Sequence, residues 1–280
     1  VAAADNSDNL GTIGVAPKAT VIGVKVLDNG SGSFGQIIDG IIYAADPTNE
    51  GGAGADIINM SLGATFSENQ NANTQALIDA MGQATTYAWS RGVLVIVAAG
   101  NGDNQSHGID FDGGNQVNLP AQSPHVFAVS ALAPKGFALG STNYDLLASY
   151  SNFGLSLVDF SGPGATPGSP RPTATTPSAP WRSTQRRRSR PRPASPRSAS
   201  GTMLLSSCRG TTIRNVCWAS GTSMAAPAVS GVAALIVGKF GSMNPDALAN
   251  RLASSADDLG AAGTDPVYGR GRVNALKAVQ

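Results

Sequence analysis

The run 219–236, ASGTSMAAPAVSGVAALI, constrains this chain more than any other stretch. From Ala225 onward it is apolar on nearly every side, so it demands a helix enclosed by other elements rather than one lying on a surface. Its start, Gly221-Thr222-Ser223, sets small hydroxyl residues where the free N–H groups of a first helical turn are exposed. Two readings compete there. Thr222 or Ser223 closes the helix as a side-chain cap, or Ser223 is presented as a nucleophile beside N–H groups able to stabilise a developing negative charge. A bare G-T-S string favours the cap, and the surrounding residues must decide between the two.

Two further segments bear on that decision. Residues 92–101, GVLVIVAAGN, read as a continuous apolar strand ending in small residues and an amide. Such a strand is enclosed on both faces in a parallel sheet, and ligands gather at the carboxyl ends of such strands. Asn101 is then a candidate side-chain donor to an oxyanion, against the plainer reading of a turn residue. Residues 55–63, ADIINMSLG, repeat the pattern of a buried strand running into small residues.

Strands and helices alternate along the rest of the chain. Strands are expected at 20–27, 57–61, 93–99, 126–131, 146–150 and 157–160. Helices are expected at 34–45, 74–91 and 223–240, with a further one opening at Asn244-Pro245-Asp246, where proline suits the first turn. This alternation predicts an α/β fold with a mainly parallel sheet and helices on both faces. A length of 280 residues suits one large α/β domain or two small ones, and 41% hydrophobic content supplies ample core. No stretch is expected to cross a membrane.

Taken together, the GTSMAAP run at Ser223, the AAGN run at Asn101 and the NMSLG run at 61–63 resemble the subtilisin-like serine proteases (peptidase S8). GTIGVAP at 11–17, VKVL at 24–27, GSG at 30–32, SYSNFG at 149–154, DFSGPG at 159–164 and YGRG at 268–271 follow in that family's order. The resemblance spans the chain except roughly 165–215. It implies a three-layer subtilisin-like sandwich and proteolysis through an acyl-enzyme, with polypeptide as substrate. It implies Ser223 as nucleophile, with Asn101 and the Ser223 N–H as the oxyanion hole. Ser61, Leu62 and Gly63, with Ala98, Ala99 and Gly100, are expected to wall the pocket for the residue before the scissile bond. Gly30, Ser31 and Gly32 are expected to form an edge strand that pairs with substrate backbone. Phe34 either borders a second apolar subsite or is a core aromatic.

The same resemblance exposes a gap. The family's triad runs Asp, His, Ser along the chain, and its H-G-T-H motif precedes V-A-G by one residue. This sequence opens Val1-Ala2-Ala3, so it is expected to start after that motif, without the Asp, the His and the first strand or strands of the sheet. His107 and His125 are the only histidines. His107 is expected to be a solvated loop residue, and His125 to end a turn begun at Pro124. Ala228 stands where relatives carry a non-catalytic histidine. The chain alone is therefore expected to be nearly inactive, with a bare sheet edge prone to association. A non-catalytic peptide-binding module is the rival reading.

Residues 168–200 differ from everything around them. Eight arginines and no acidic residue lie between 171 and 197, among Pro, Ser, Thr and Ala. Such a composition buries no core and is expected to be disordered. Polyanion or nucleic-acid binding, an exposed loop and an out-of-frame translation of a G/C-rich gene compete here; the last is preferred and nucleic acid disfavoured. Cys208 and Cys217 form either a disulfide closing a small loop or two free thiols. No metal or cofactor is required. Asp5–Asn9 is an oxygen-rich run that suits a structural calcium ion or a plain turn. A secreted, extracellular monomer is implied by the family.

Overall fold

The computed structural model describes residues 1–4, 13–67, 72–102, 107–133, 143–164, 207–211 and 214–280, with the backbone alone for 207–218. The Asp5–Asn9 run and the arginine-rich segment 168–200 lie outside the described residues.

The sheet follows from strands that are apolar on both sides. Strand β1 is Ile57–Met60, β3 is Leu94–Ala98, β5 is Val126–Ala133 and β7 is Phe160–Pro163. They pair in parallel in the order β1-β3-β5-β7, and the short β6, Leu146–Leu147, meets β5 antiparallel at Leu132 and Ala133. All five residues of β3 are buried. Alternate side chains along it enter different layers: Val95 and Val97 join one apolar cluster, Leu94, Ile96 and Ala98 the other. This period of two is what a strand covered by helices on both faces requires.

One cluster is closed by helix α1, Phe34–Ala45, and helix α2, Ala72–Ser90. Helix α1 starts at Ser33, whose Oγ accepts from the Gln36 N–H at 3.2 Å while Gln36 Oε1 accepts from the Ser33 N–H at 3.0 Å. The reciprocal pair satisfies two otherwise orphaned donors. The other cluster is closed by α3, Thr222–Phe240, α4, Pro245–Ser255, and the short α5, Ala275–Ala278. A three-layer α/β/α sandwich results, as the alternation predicted.

Helix α3 reaches close to the sheet and to the amino-terminal segment because of its small residues. A Cβ on Gly231 would stand 2.6 Å from Val15 Cβ and 3.3 Å from the Ala2 carbonyl oxygen, so only glycine admits that approach. Residues 1–4 are held there by hydrogen bonds from the Gly14, Val15 and Ala16 N–H groups. By length and composition α3 is apolar enough to cross a membrane, with mean hydropathy 1.5, contrary to the expectation that no stretch would be. Half of that window is buried inside the protein.

Three local expectations are corrected. Residues 20–27 are extended but form no strand: among the described residues they share no ladder with β1, whose outer edge is bare. Val24 and Val26 pack on Gly40 of α1, while Val21 and Ile22 are 72% and 48% exposed. An extended segment without a neighbouring strand has no partner for its peptide groups except water. Gly30–Gly32 is no edge strand either. Asn29 and Gly30 both have positive φ, and the Asp28 and Ser31 peptide groups bond each other at 2.7 and 3.0 Å. That is the tight two-residue turn that Asn-Gly favours. The strand expected at 157–160 lies instead at β7, because Gly154 to Asp159 turn to bring the Asp159 N–H onto the Ala128 carbonyl.

Strand β2, Ala64–Ser67, pairs antiparallel with β4, Gln116–Leu119, and β8, Ser207–Thr211, with β9, Arg214–Trp218. Neither pair was foreseen. Cys208 and Cys217 stand directly opposite in the β8–β9 register; the disulfide raised for them lies outside what is described.

Candidate active site

The carboxyl ends of β1 and β3 and the start of α3 converge. Ser61 follows β1 by one residue, Gly100 and Asn101 follow β3, and Ser223 is the second residue of α3. The structure thus brings together three of the segments that the sequence singled out.

Asn101 is gripped by the residue before the serine. The Thr222 N–H donates to Asn101 Oδ1 at 2.8 Å and the Thr222 hydroxyl donates to the same oxygen at 3.0 Å. The Thr222 oxygen in turn accepts from the Gly100 N–H at 3.1 Å. Thr222 is wholly buried. With its oxygen held by two donors, the Asn101 carboxamide has its Nδ2 donors left for another partner. The side-chain cap considered for this helix is not formed: the N-cap is Gly221, which has no side chain to offer, and the Thr222 hydroxyl serves Asn101 instead.

Ser223 is locked to Ser61 in both directions. The Ser223 hydroxyl donates to the Ser61 carbonyl at 3.2 Å, and the Ser61 hydroxyl donates to the Ser223 carbonyl at 2.9 Å. The second bond has a cause in the sequence. In an α-helix the Ser223 carbonyl would accept from the N–H four residues on, but that residue is Pro227, which has none. Ser61 fills the vacancy. Asn59 steadies Ser61 through Nδ2 at 3.1 Å and accepts from the Ser230 hydroxyl at 3.0 Å. The Ser223 N–H, in the first helical turn, donates to no described group. It therefore remains a donor available to an anion, as first-turn N–H groups are.

The floor behind these residues is built from two amides. Asn118 and Asn152 each donate through Nδ2 to the Ala99 carbonyl at 2.9 Å. Asn152 Oδ1 accepts from the Gly102 N–H at 2.9 Å and the Ile109 N–H at 3.0 Å, which fixes the turn leaving Asn101. Gly100 has φ +97°, and a Cβ there would fall 2.4 Å from Asn152 Nδ2, so glycine is required on both counts.

Of the sequence-derived site residues, Ser61, Leu62, Gly63, Ala98, Ala99, Gly100, Asn101 and Ser223 gather in this region. Gly30, Ser31 and Gly32 lie in the turn described above. Thr222 and Asn152 went unassigned although both lie inside motifs that were read, GTSMAAP and SYSNFG. Asn118 carried no local signal, because its role depends on the unforeseen β2–β4 pairing.

Neither histidine shares the Ser223 hydroxyl bond. His125 precedes β5, at the end of the sheet opposite Asn101, and stacks on Trp89 with ring centroids 4.4 Å apart. His107 lies beyond Gly102, its carbonyl against that glycine's Cα. Among the described residues no group of three or more His, Cys, Asp or Glu could hold a metal.

Residues 1–271 match the family model of the subtilase family, Peptidase S8. The chain is 32% identical over 281 aligned positions to thermitase of Thermoactinomyces vulgaris, covering all of this chain and 72% of that protein. It is 30% identical over 280 positions to a thermophilic serine proteinase of Bacillus sp. (strain AK1), of which it spans 50%. The fold is similar to a crystal structure of a lanthipeptide protease, with a TM-score of 0.66 at 26% identity over 95% of this chain and 71% of that one.

Proposed function

The chain belongs to the subtilase family, and from that premise we propose that it cleaves extended polypeptide through an acyl-enzyme at Ser223, with a general base supplied from outside these 280 residues. The observation that carries this reading is the Thr222 clamp on Asn101. Two donors fix the carboxamide oxygen, and this leaves Nδ2 and the Ser223 N–H as the two donors that tetrahedral acyl chemistry needs for its oxyanion.

The serine requires a base within hydrogen-bond reach. In its resting contact the hydroxyl points at the Ser61 carbonyl, which takes a hydrogen bond but no proton. When a base withdraws the proton, Ser223 Oγ attacks the scissile carbonyl. Negative charge then develops on the substrate oxygen between Asn101 Nδ2 and the Ser223 N–H. Collapse expels the amine, and water repeats the sequence on the ester. Ser61–Gly63 and Ala98–Gly100 flank the residue before the cut.

The site needs no metal for these steps, and a secreted monomer is the form that the family suggests. The chain spans 50% of the length of the thermophilic serine proteinase of Bacillus sp. (strain AK1), so substrates and activity of the whole protein belong to this proposal. Its test is steady-state kinetics of the gene's full-length product on a peptide amide. Asn101→Ala should lower kcat about 10²–10³-fold with KM little changed, and Ser223→Ala should abolish turnover. No turnover of the peptide by the full-length wild type would show instead that the cleft only binds peptide, as a non-catalytic module would.

A further inference from the structure

We infer that Cys208 and Cys217 are a disulfide-forming pair, joined across the β8–β9 ribbon that leads into the Ser223 helix, with a small-molecule disulfide such as oxidised glutathione as the oxidant. The inference goes beyond the proteolytic reading and does not depend on it.

The argument starts from register. Strands β8 and β9 run antiparallel, with Thr211 opposite Arg214 and Cys208 opposite Cys217. Two residues lie between Thr211 and Arg214, and the pair that flanks a two-residue hairpin connection exchanges hydrogen bonds. Hydrogen-bonded and non-hydrogen-bonded pairs alternate along an antiparallel ladder. Gly210 opposite Asn215 is then a non-hydrogen-bonded pair, Arg209 opposite Val216 a hydrogen-bonded one, and Cys208 opposite Cys217 non-hydrogen-bonded again.

That position suits a bridge. The Cα atoms of a non-hydrogen-bonded pair stand about 4.5 Å apart, against about 5.5 Å in the other kind. A disulfide spans Cα separations of about 4.4–6.8 Å. Residues directly opposite also share one face of the ribbon, and a slip of one residue would put the two cysteines on different faces. These are the only two cysteines of the 280 residues, so neither has a rival within the sequence.

The ribbon has a use for the bond. Among the described strands β8 and β9 pair only with each other, and a two-stranded ribbon alone is marginal in water. Strand β9 ends at Trp218 and α3 starts at Thr222. The far end of that connection is fixed, because the Gly221 N–H donates to the Gly164 carbonyl at 3.0 Å and the Thr222 N–H to Asn101. A bridge at Cys217 fixes the near end, six residues ahead of Ser223.

The chemistry is two thiol–disulfide exchanges. One cysteine thiolate attacks a sulfur of oxidised glutathione and expels a glutathione thiolate, leaving a mixed disulfide. The second cysteine thiolate attacks the protein sulfur of that mixed disulfide and expels the other glutathione. The protein loses two protons and two electrons, and one glutathione disulfide becomes two thiols.

The experiment equilibrates the gene's full-length product with oxidised and reduced glutathione, quenches with acid and maps the linked and alkylated peptides by mass spectrometry. The same measurement in concentrated guanidinium gives the value for the unfolded chain. The effective concentration of Cys208 for Cys217 should be at least about tenfold higher in buffer than in denaturant, since register has already brought the pair together. Cys208→Ser combined with Arg209→Cys moves one cysteine a single residue out of register and should lose most of that gain. Equal effective concentrations in buffer and denaturant overturn the inference, as does a shifted variant that keeps the whole gain. So does a native protein in which both thiols stay free or bridge between chains. None of these outcomes bears on the proteolytic reading, which stands or falls on turnover.

Discussion

At the scale of the residue, the site depends on hydrogen bonds that the backbone of α3 does not make. Pro227 withholds the N–H that the Ser223 carbonyl would ordinarily accept, and Ser61 supplies a hydroxyl in its place. The cost of removing Ser61 therefore depends on Pro227. Ser61→Ala should destabilise the protein by about 1–3 kcal/mol, the range for a carbonyl left unpaired. In a Pro227→Ala background the helix regains its own donor, and the same Ser61→Ala change should cost at least about 1 kcal/mol less. A double-mutant cycle by denaturant melting measures the difference. Additive costs would mean that the two residues act independently. The sequence alone showed Ser61, Asn101 and Ser223 because each sits in a local motif with a strand or helix attached. It did not show the grip of Thr222 on Asn101, since that bond joins residues 121 positions apart. Asn118 was invisible for the same reason, its partner being reached only through the β2–β4 pairing.

At the scale of the element, the carboxyl-terminal segment is fastened by one carboxylate. Asp257 accepts from Arg272 Nη2 at 2.7 Å, Lys277 Nζ at 2.6 Å and Asn274 Nδ2 at 3.0 Å, and Arg272 also pairs with Asp145. The Arg272 guanidinium first, and then the Lys277 ammonium, hold the Asp257 carboxyl well below the usual carboxylate range. A depressed folded pKa gives stability that is present above the unfolded value of about 3.9 and is lost as pH falls below it. Asp257→Asn should therefore be less stable than wild type at pH 7, and the gap should close as pH drops below about 4. Thermal melts across pH 2–7 (an interval on the order of five units) check this, and a gap independent of pH would show that the carboxylate contributes shape rather than charge. Asp159 has the opposite sign. Burial raises its pKa to about 6 despite the Ala128 N–H and Arg270 nearby, so its contribution is lost as pH rises between the unfolded value and that one. Among the elements, β3 and α3 were plain in the sequence because their apolar pattern admits no other place than the interior. The segment 20–27 was misread because its alternating apolar residues have the right period for a strand. Period sets which way side chains face, but only a neighbour makes a ladder. Val24 and Val26 found α1 instead, and no described strand lies beside them.

At the scale of the whole molecule, a well-packed sandwich brings Asn101, Thr222 and Ser223 together at one end of the sheet. Two apolar clusters, one on each side of the sheet, fix the carboxyl ends of β1 and β3 against the start of α3. His125 is at the far end of the sheet on Trp89, and the Ser223 hydroxyl is bonded to the Ser61 carbonyl. Among the described residues no strand pairs with the outer edge of β1. Fold class was legible from alternation and composition, whereas the expectation that the Asp and His lie upstream rests only on the order of the family's motifs. The most direct measurement is the rate at which a fluorophosphonate acylates Ser223, compared between the 280-residue chain and the gene's full-length product. The full-length product should be labelled at Ser223, with labelling lost in Ser223→Ala, and the 280-residue chain should react at least about 10³-fold more slowly for want of a base. Equal rates in the two would contradict the account, because the base would then lie within the 280-residue chain.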